Sequence, residues 1–255
     1  MADATKKAAI VTGAGSGIGK ATAKRLARDG WAVTLNGLRP EKLEQTASEI
    51  AAPERTLIAR GDVSDPDDVD AMFKAHMETF GRLDALVNNA GVYAGGPIDE
   101  LDFSEWRKVM SVNVDAHFHT ISRAVPLLEK TGGCIVNVSS VSGLGGDWGM
   151  SPYNASKGAV SNFTRALALD LAARGIRVNA VAPSLTETEM TDDVLDDEHT
   201  MAMFRQRIPM ARAAKPEEIA DVIAFLTSHD ARFVNGVVLP VDGGLSASNG
   251  QPHFD

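Results

Sequence analysis

Tyr153 and Lys157 stand four residues apart just after Pro152, at the start of a predicted helix, so they project from one face. A tyrosine phenol ionises near pH 10, and acid/base work near neutrality requires lowering that value by about 3 units, roughly 4 kcal/mol. The ammonium of Lys157 supplies a field of the right sign. Ser140, thirteen residues before Tyr153, can hold a reacting oxygen through its hydroxyl. Taken alone, the Tyr-x-x-x-Lys spacing is weak and better fits a half-buried tyrosine beside a surface lysine.

These residues need a frame. Apolar runs at 8–12, 31–36, 55–59, 83–87, 134–139, 176–182 and 237–241 alternate with amphipathic stretches that start near Gly17, Glu41, Pro66, Ser104, Pro152 and Pro216. Most of the runs lack polar alternation, as strands covered on both faces do. The expectation is an α/β fold: one Rossmann domain over 1–255, with a seven-stranded parallel doubly wound sheet and helices on both faces. Asp65-Pro66 and Lys215-Pro216-Glu217-Glu218 carry helix-start chemistry. Two stretches break the rhythm, a glycine-rich segment at 142–151 and a long insertion at about 184–210. Both follow the carboxyl ends of strands, where open α/β sheets bind ligands, and the second reads as a substrate lid.

The first strand-to-helix turn reads Thr12-Gly13-Ala14-Gly15-Ser16-Gly17-Ile18-Gly19. Glycines there permit a tight turn, leave room for a pyrophosphate at the helix N-terminus, and let helix pack on strand. The position of this turn in the chain points to a dinucleotide, and no Gly-Lys-Ser/Thr follows that would make it a P-loop. An oxidised nicotinamide ring would add to the field on Tyr153. The second strand ends Leu35-Asn36-Gly37-Leu38-Arg39, without the acid that pairs with an NAD ribose. Arg39 can meet a 2′-phosphate, which favours NADP over NAD, or it is a solvated arginine before Pro40.

The formal net charge of -9 disfavours a phosphate-backbone binder, so no nucleic-acid partner is expected. No apolar run reaches the roughly 18 residues of a membrane span, and the start lacks a secretory signal. The one cysteine, Cys134, sits in an apolar strand, and a reducing, cytoplasmic setting fits. His117 and His119 face different sides of a helix, and His76, His199, His229 and His253 are scattered and read as surface residues. No metal site is expected.

The chain resembles the short-chain dehydrogenase/reductases over nearly its whole length. The residues that carry the likeness are the 12–19 turn, Asp62, Asn88-Asn89-Ala90-Gly91, Asn113, Ser140, Tyr153 to Lys157, and Val181-Ala182-Pro183 leading to Thr188. The resemblance implies an NAD(P)(H)-dependent oxidoreductase that interconverts a secondary alcohol and a ketone. It implies Tyr153 as general acid/base, Lys157 as the residue that lowers its pKa and holds the nicotinamide ribose, Ser140 on the carbonyl, and Asn113 anchoring a relay water. It also implies cofactor contacts from Gly13, Ser16, Gly17, Ile18, Gly19, Arg39, Asp62, Val63, Asn89, Ala90, Gly91, Tyr153, Lys157, Pro183 and Thr188, and a homotetramer built through 104–130, 152–174 and the last strand. Asp62 also fits a turn cap, and Asn113 a core amide that bends a helix. Where the family often has glycine after the sixth-strand proline this chain has Ser184, which loosens the placement of Thr188.

Within the family, Gly143-Leu-Gly-Gly-Asp-Trp-Gly149, Pro183-Ser-Leu185 and the tail through Asn249-Gly-Gln-Pro252 resemble enzymes of vicinal diols and hydroxyketones such as butanediol and acetoin. Ser142 and Trp148 then line the substrate pocket, or Trp148 anchors its loop to the core. The alternative substrate is a 3-oxoacyl group on a carrier protein or coenzyme A, with Lys130 and Arg174 near a carrier and five lid acids (Asp192, Asp193, Asp196, Asp197, Glu198) opposing it. A more remote alternative is a non-catalytic cofactor-binding protein.

Overall fold

The computed structural model describes residues 6–251. Its seven strands are β1 (Ala8–Val11), β2 (Ala32–Gly37), β3 (Thr56–Arg60), β4 (Ala85–Asn88), β5 (Cys134–Val138), β6 (Arg177–Pro183) and β7 (Val238–Val241). They form one parallel sheet in the order β3-β2-β1-β4-β5-β6-β7. The order reverses between β1 and β4, which opens a crevice at their carboxyl ends. His253 and Pro252 lie outside the described residues.

Every residue of β1, β4 and β5 is buried, and the period of two divides each strand between two cores. Ala9, Val11, Val33, Leu35, Val87 and Val136 face one side, where Leu26 of α1 (Gly17–Arg28), Leu43 of α2 (Pro40–Ile50) and Ile219 and Ile223 of α9 (Pro216–Thr227) cover them. Ile10, Leu86, Ile135 and Val178 face the other side. There they meet Val69, Met72 and Phe73 of α3 (Pro66–Phe80), Ile121 of α5 (Ala116–Leu128) and Ala168 and Leu171 of α6 (Ser151–Ala172).

The helix starts follow the chemistry expected of them. The Asp65 carboxylate accepts from the Asp67 amide at 2.9 Å, and Glu218 reaches back to the Lys215 amide at 2.8 Å. Between α4 (Phe103–Met110) and α5, residues Ser111–Asp115 widen into a π-helical turn, a form frequent at functional sites. The 184–210 insertion is not structureless: it holds α7 (Asp192–Leu195) and α8 (Glu198–Arg207) over a small core of Leu185, Met201, Ile208 and Ala213. Of the five acids of this segment, Asp192 and Asp193 lie in the first turn of α7, and Asp197 and Glu198 start α8. Asp197 accepts from the amides of His199 and Thr200, and Glu198 pairs with Arg205.

His76 is a correction to the sequence reading. It is fully buried, not a surface residue, because it lies on the apolar stripe Val69-Met72-Phe73-His76-Phe80 of α3. Its Nδ1 meets Thr34 Oγ1 at 2.7 Å and its Nε2 meets the Arg82 carbonyl at 2.9 Å. Nε2 can only donate to that carbonyl, so in the neutral ring Nδ1 accepts from Thr34. Burial pushes the ring down to about 4 from an ordinary 6.5. A depressed folded-state value contributes stability that is present above pH 6.5 and is lost as pH falls toward 4, about 3 kcal/mol in all. Thermal melts at pH 7.5 and 5 should show a larger loss of Tm for wild type than for His76→Gln, and equal losses would contradict this.

Candidate active site

The crevice runs along the carboxyl ends of the strands as two adjoining clefts. One is lined by Gly13, Ser16, Asn36, Arg39, Asp62, Val63, Ala90 and Gly91. The other is lined by Gly13, Ser16, Gly17, Ile18, Asn89, Ala90, Gly91, Ser140, Tyr153, Lys157, Pro183 and Thr188. All the sequence-predicted cofactor residues except Gly19 therefore line one cleft or both.

Gly19 acts from behind. A Cβ there would lie 2.2 Å from the Gly13 carbonyl oxygen and 2.4 Å from Asn89 Nδ2, so the residue permits helix-on-turn packing rather than touching the cleft. Gly13 has φ +64°, and a Cβ on it would meet Asn89 Nδ2 at 2.8 Å. Asn89 locks this arrangement by donating from Nδ2 to the Thr12 carbonyl at 2.9 Å, while its amide donates to Thr12 Oγ1 at 2.9 Å. A Cβ on Gly17 would come within 2.9 Å of Thr188 Cγ2, so the segment after β6 rests on the glycine turn at Thr188.

The clefts suit a dinucleotide. The backbone is bare at Gly13, Gly15 and Gly17, and the buried Asn36 Oδ1, in the first cleft, has no partner within the protein. Asp62 does cap its turn, accepting from the Ser64 amide and hydroxyl at 2.8 and 2.7 Å through Oδ1. Arg39 and Lys42 converge on Glu189 of the lid at 2.7 and 2.8 Å. Lys42 and Glu189 escaped the sequence reading, since nothing local links positions so far apart.

In the second cleft, Lys157 is buried and donates from Nζ to the Val138 carbonyl at 2.8 Å, with Nζ 5.6 Å from the centre of the Tyr153 ring. Burial pushes this lysine down to about 8. Tyr153 moves in the direction opposite to the expectation: burial raises its pKa, a hydrogen bond with Ser140 opposes the rise, and the charge of Asp147 adds to it. Within the protein alone, desolvation outweighs the Ser140 hydrogen bond.

Asn113 sits at the π-helical turn with both amide protons used, donating to the Val92 carbonyl at 2.9 Å and to Ser156 Oγ at 3.0 Å. Its Oδ1 accepts from the Val92 amide at 2.8 Å. The side chain thus ties the π-helical turn to the segment after β4 and to α6. His117, one turn on, is buried with Nε2 unpartnered and is pushed down to about 3 by burial, with Lys157 adding to the effect.

Trp148 departs from the sequence reading. It is 95% exposed, lines neither cleft and anchors nothing, because the glycines around it (Gly145, Gly146, Gly149) have open space beside them. The loop is held instead by Asp147, whose carboxylate accepts from Ser142 Oγ and whose carbonyl accepts from Asn154 Nδ2 at 2.9 Å. Ser142 is buried against Ser140. Among the described residues no group of three or more His, Cys, Asp or Glu is placed to hold a metal, and no helix is long and apolar enough to cross a membrane.

Parallel sheet order, glycine turn and the Ser-Tyr-Lys convergence define a nicotinamide-dependent class of enzyme. The family model described as enoyl-(acyl carrier protein) reductase matches residues 13–246, and the chain belongs to the short-chain dehydrogenase/reductase family. It is an NAD(P)(H)-dependent oxidoreductase acting on CH–OH groups. The chain is 45% identical to a meso-2,3-butanediol dehydrogenase of Serratia marcescens, covering 96% of this chain and 97% of that one. It is 38% identical to a 3-oxoacyl-[acyl-carrier-protein] reductase of Thermotoga maritima, covering 94% and 97%. A solved variant of actinorhodin polyketide ketoreductase with NADPH superposes with a TM-score of 0.90 at 34% identity, covering 97% of this chain and all of that one.

The packing of Gly19 generates a test. Gly19→Ala must displace the Gly13 carbonyl, so dinucleotide affinity should fall by at least tenfold and stability by about 1–3 kcal/mol. Cofactor titration and urea unfolding report the two losses, and an unchanged affinity would contradict the packing role.

Proposed function

We propose that this enzyme interconverts a small vicinal diol and its hydroxyketone, of the butanediol/acetoin kind. The carrying observation is the convergence of Ser140, Tyr153 and Lys157 in one cleft at the carboxyl ends of β5 and β6. A nicotinamide cofactor supplies or accepts the hydride. In reduction Tyr153 gives its phenol proton to the substrate oxygen, and Ser140 holds that oxygen by a hydrogen bond. Lys157, fixed by the Val138 carbonyl, stabilises the tyrosinate left behind and presents its other protons to the cofactor ribose. The Asn113 side chain fixes the turn that faces this lysine, which leaves a relay water to main-chain groups there.

The small diol is supported by the identity shared with the Serratia enzyme over nearly the whole chain. The Thermotoga relative supports the alternative, a 3-oxoacyl carrier substrate. Against that alternative, Arg174 is held by Glu129 at 2.7 Å rather than free for a phosphate, and Asp192, Asp193, Asp196, Asp197 and Glu198 are exposed on the lid.

NADP is favoured over NAD by Arg39 and Lys42 beside the first cleft, in the absence of an acid on the β2 turn. Residues 184–210 form the substrate lid. A homotetramer through 104–130, 152–174 and the last strand is supported by exposed Phe118 and Leu169, and a cytoplasmic setting by the buried lone thiol of Cys134.

Assays of acetoin and acetoacetyl-coenzyme A side by side, with each cofactor, test this reading. Acetoin with NADPH should give the higher kcat/KM. Tyr153→Phe should lose about 10²- to 10⁴-fold in kcat with cofactor affinity kept. Preference for the thioester, or near-normal turnover of the variant, would overturn the substrate or the mechanism respectively.

A further inference from the structure

The contact between the 184–210 segment and the glycine turn ends in a pair of ionic bonds. Lys42, in the first turn of α2, packs at one point of the turn: a Cβ on Gly15 would lie 3.0 Å from Lys42 Cβ. Thr188 packs at another, Gly17, and the next residue is Glu189. Its carboxylate spans two cations, accepting through Oε1 from Lys42 Nζ at 2.8 Å and through Oε2 from Arg39 Nη2 at 2.7 Å. Arg39 and Lys42 stand three apart at the start of α2, the spacing that brings side chains to one helix face. Both line the first cleft together with Asn36, Gly37 and Leu38 at the end of β2.

A pair of cations suited to a 2′-phosphate therefore already holds an anion. A guanidinium fork beside an ammonium matches phosphate oxygens, and the Glu189 carboxylate places one oxygen on each of them. These cations hold the Glu189 carboxyl below the usual carboxylate range, so it carries its charge at neutral pH. A phosphate monoester, with a charge of about −1.5 to −2, meets that carboxylate as a like charge, whereas the 2′-hydroxyl of NAD(H) brings no charge. Neighbouring groups do not relieve the conflict. Lys20 and Lys24 of α1 are paired with Glu49 at 2.6 and 2.7 Å, and Glu187 and Asp192 line the outer side of the segment beside Glu189.

We propose that Glu189 is a specificity-determining residue for the cofactor, a resident anion on Arg39 and Lys42 that a 2′-phosphate must displace, and that it narrows the margin of NADP(H) over NAD(H). The proposal rests on the reading that these two cations receive the 2′-phosphate. Half-exposed ion pairs are individually weak, so the displacement costs NADP(H) part of its advantage without excluding it. With NAD(H) the ion pairs persist and the 184–210 segment stays tied to α2. With NADP(H) that tie is released.

Equilibrium titrations of NADPH and NADH, followed by nicotinamide fluorescence, test this without turnover. Glu189→Gln keeps the size of the side chain and removes its charge. The Kd for NADPH should fall by about fivefold while that for NADH changes by less than about twofold. Arg39→Gln/Lys42→Gln should bind NADPH more weakly than wild type, and adding Glu189→Gln to it should bring no selective gain, since the contested cations are gone.

An NADPH affinity that does not rise in folded Glu189→Gln overturns the proposal. An equal gain for both cofactors also overturns it, because the carboxylate then acts on the pyrophosphate that they share. A selective gain that persists in full in the Arg39→Gln/Lys42→Gln background does so as well, since the charge then acts through space rather than by occupying the cations. If Arg39→Gln/Lys42→Gln keeps the wild-type affinity for NADPH, the 2′-phosphate reading of these cations fails and the proposal fails with it. Weaker NADPH binding there, with Glu189→Gln inert, removes the proposal alone.

Discussion

The arrangement turns on one buried cation. An ammonium in a protein interior is tolerated only where its protons find acceptors, and the desolvation that pushes Lys157 down to about 8 measures what the surroundings must offset. The Val138 carbonyl, at the end of β5, provides that acceptor at 2.8 Å. Neighbouring backbone comes close because two glycines allow it. A Cβ on Gly91 would lie 3.5 Å from Nζ, and one on Gly143 would lie 2.5 Å from the Lys157 carbonyl. The turn after β5, which carries Ser140 and Ser142, can therefore seat against α6 at Tyr153 and Lys157.

The cofactor half obeys the same logic with smaller means. Asn89 and Thr12 stitch the end of β4 to the glycine turn, and Gly13 and Gly19 accept contacts that no side chain would permit. The 184–210 segment rests on this platform at Gly17 through Thr188, and again through Glu189, whose carboxylate gathers Arg39 and Lys42. These ion pairs are half-exposed and worth little to stability in themselves. Their position matters more, because they tie the 184–210 segment to the residues beside the first cleft.

The sheet was legible in the sequence because parallel strands covered on both faces leave uninterrupted apolar runs, and all seven fall within two residues of their predicted bounds. The glycine turn and the positions of Ser140, Tyr153 and Lys157 were legible for a related reason: each sits at the carboxyl end of a strand or the start of a helix. His76 was misread although its stripe in α3 was visible, since an isolated histidine was judged by its polarity rather than by its place at the spacing 69, 72, 73, 76. Trp148 was misread because an aromatic in a glycine-rich loop was taken to need a pocket, whereas its neighbours leave it in solvent. The roles of Asp147, Lys42 and Glu189 were not legible at all. Lys42 of α2 meets Glu189 from a distant part of the chain and Asp147 meets Ser142 within an irregular loop, contacts that no periodicity encodes.

The central claim is that a carbonyl oxygen is held between Ser140 and Tyr153 while Lys157 remains on Val138. A crystal structure of the complex with nicotinamide cofactor and a hydroxyketone tests it most directly. The account predicts the substrate oxygen within hydrogen-bond reach of both hydroxyls, with the Lys157–Val138 bond retained. A substrate oxygen bound away from Tyr153, or a Lys157 ammonium withdrawn from the Val138 carbonyl, would contradict it.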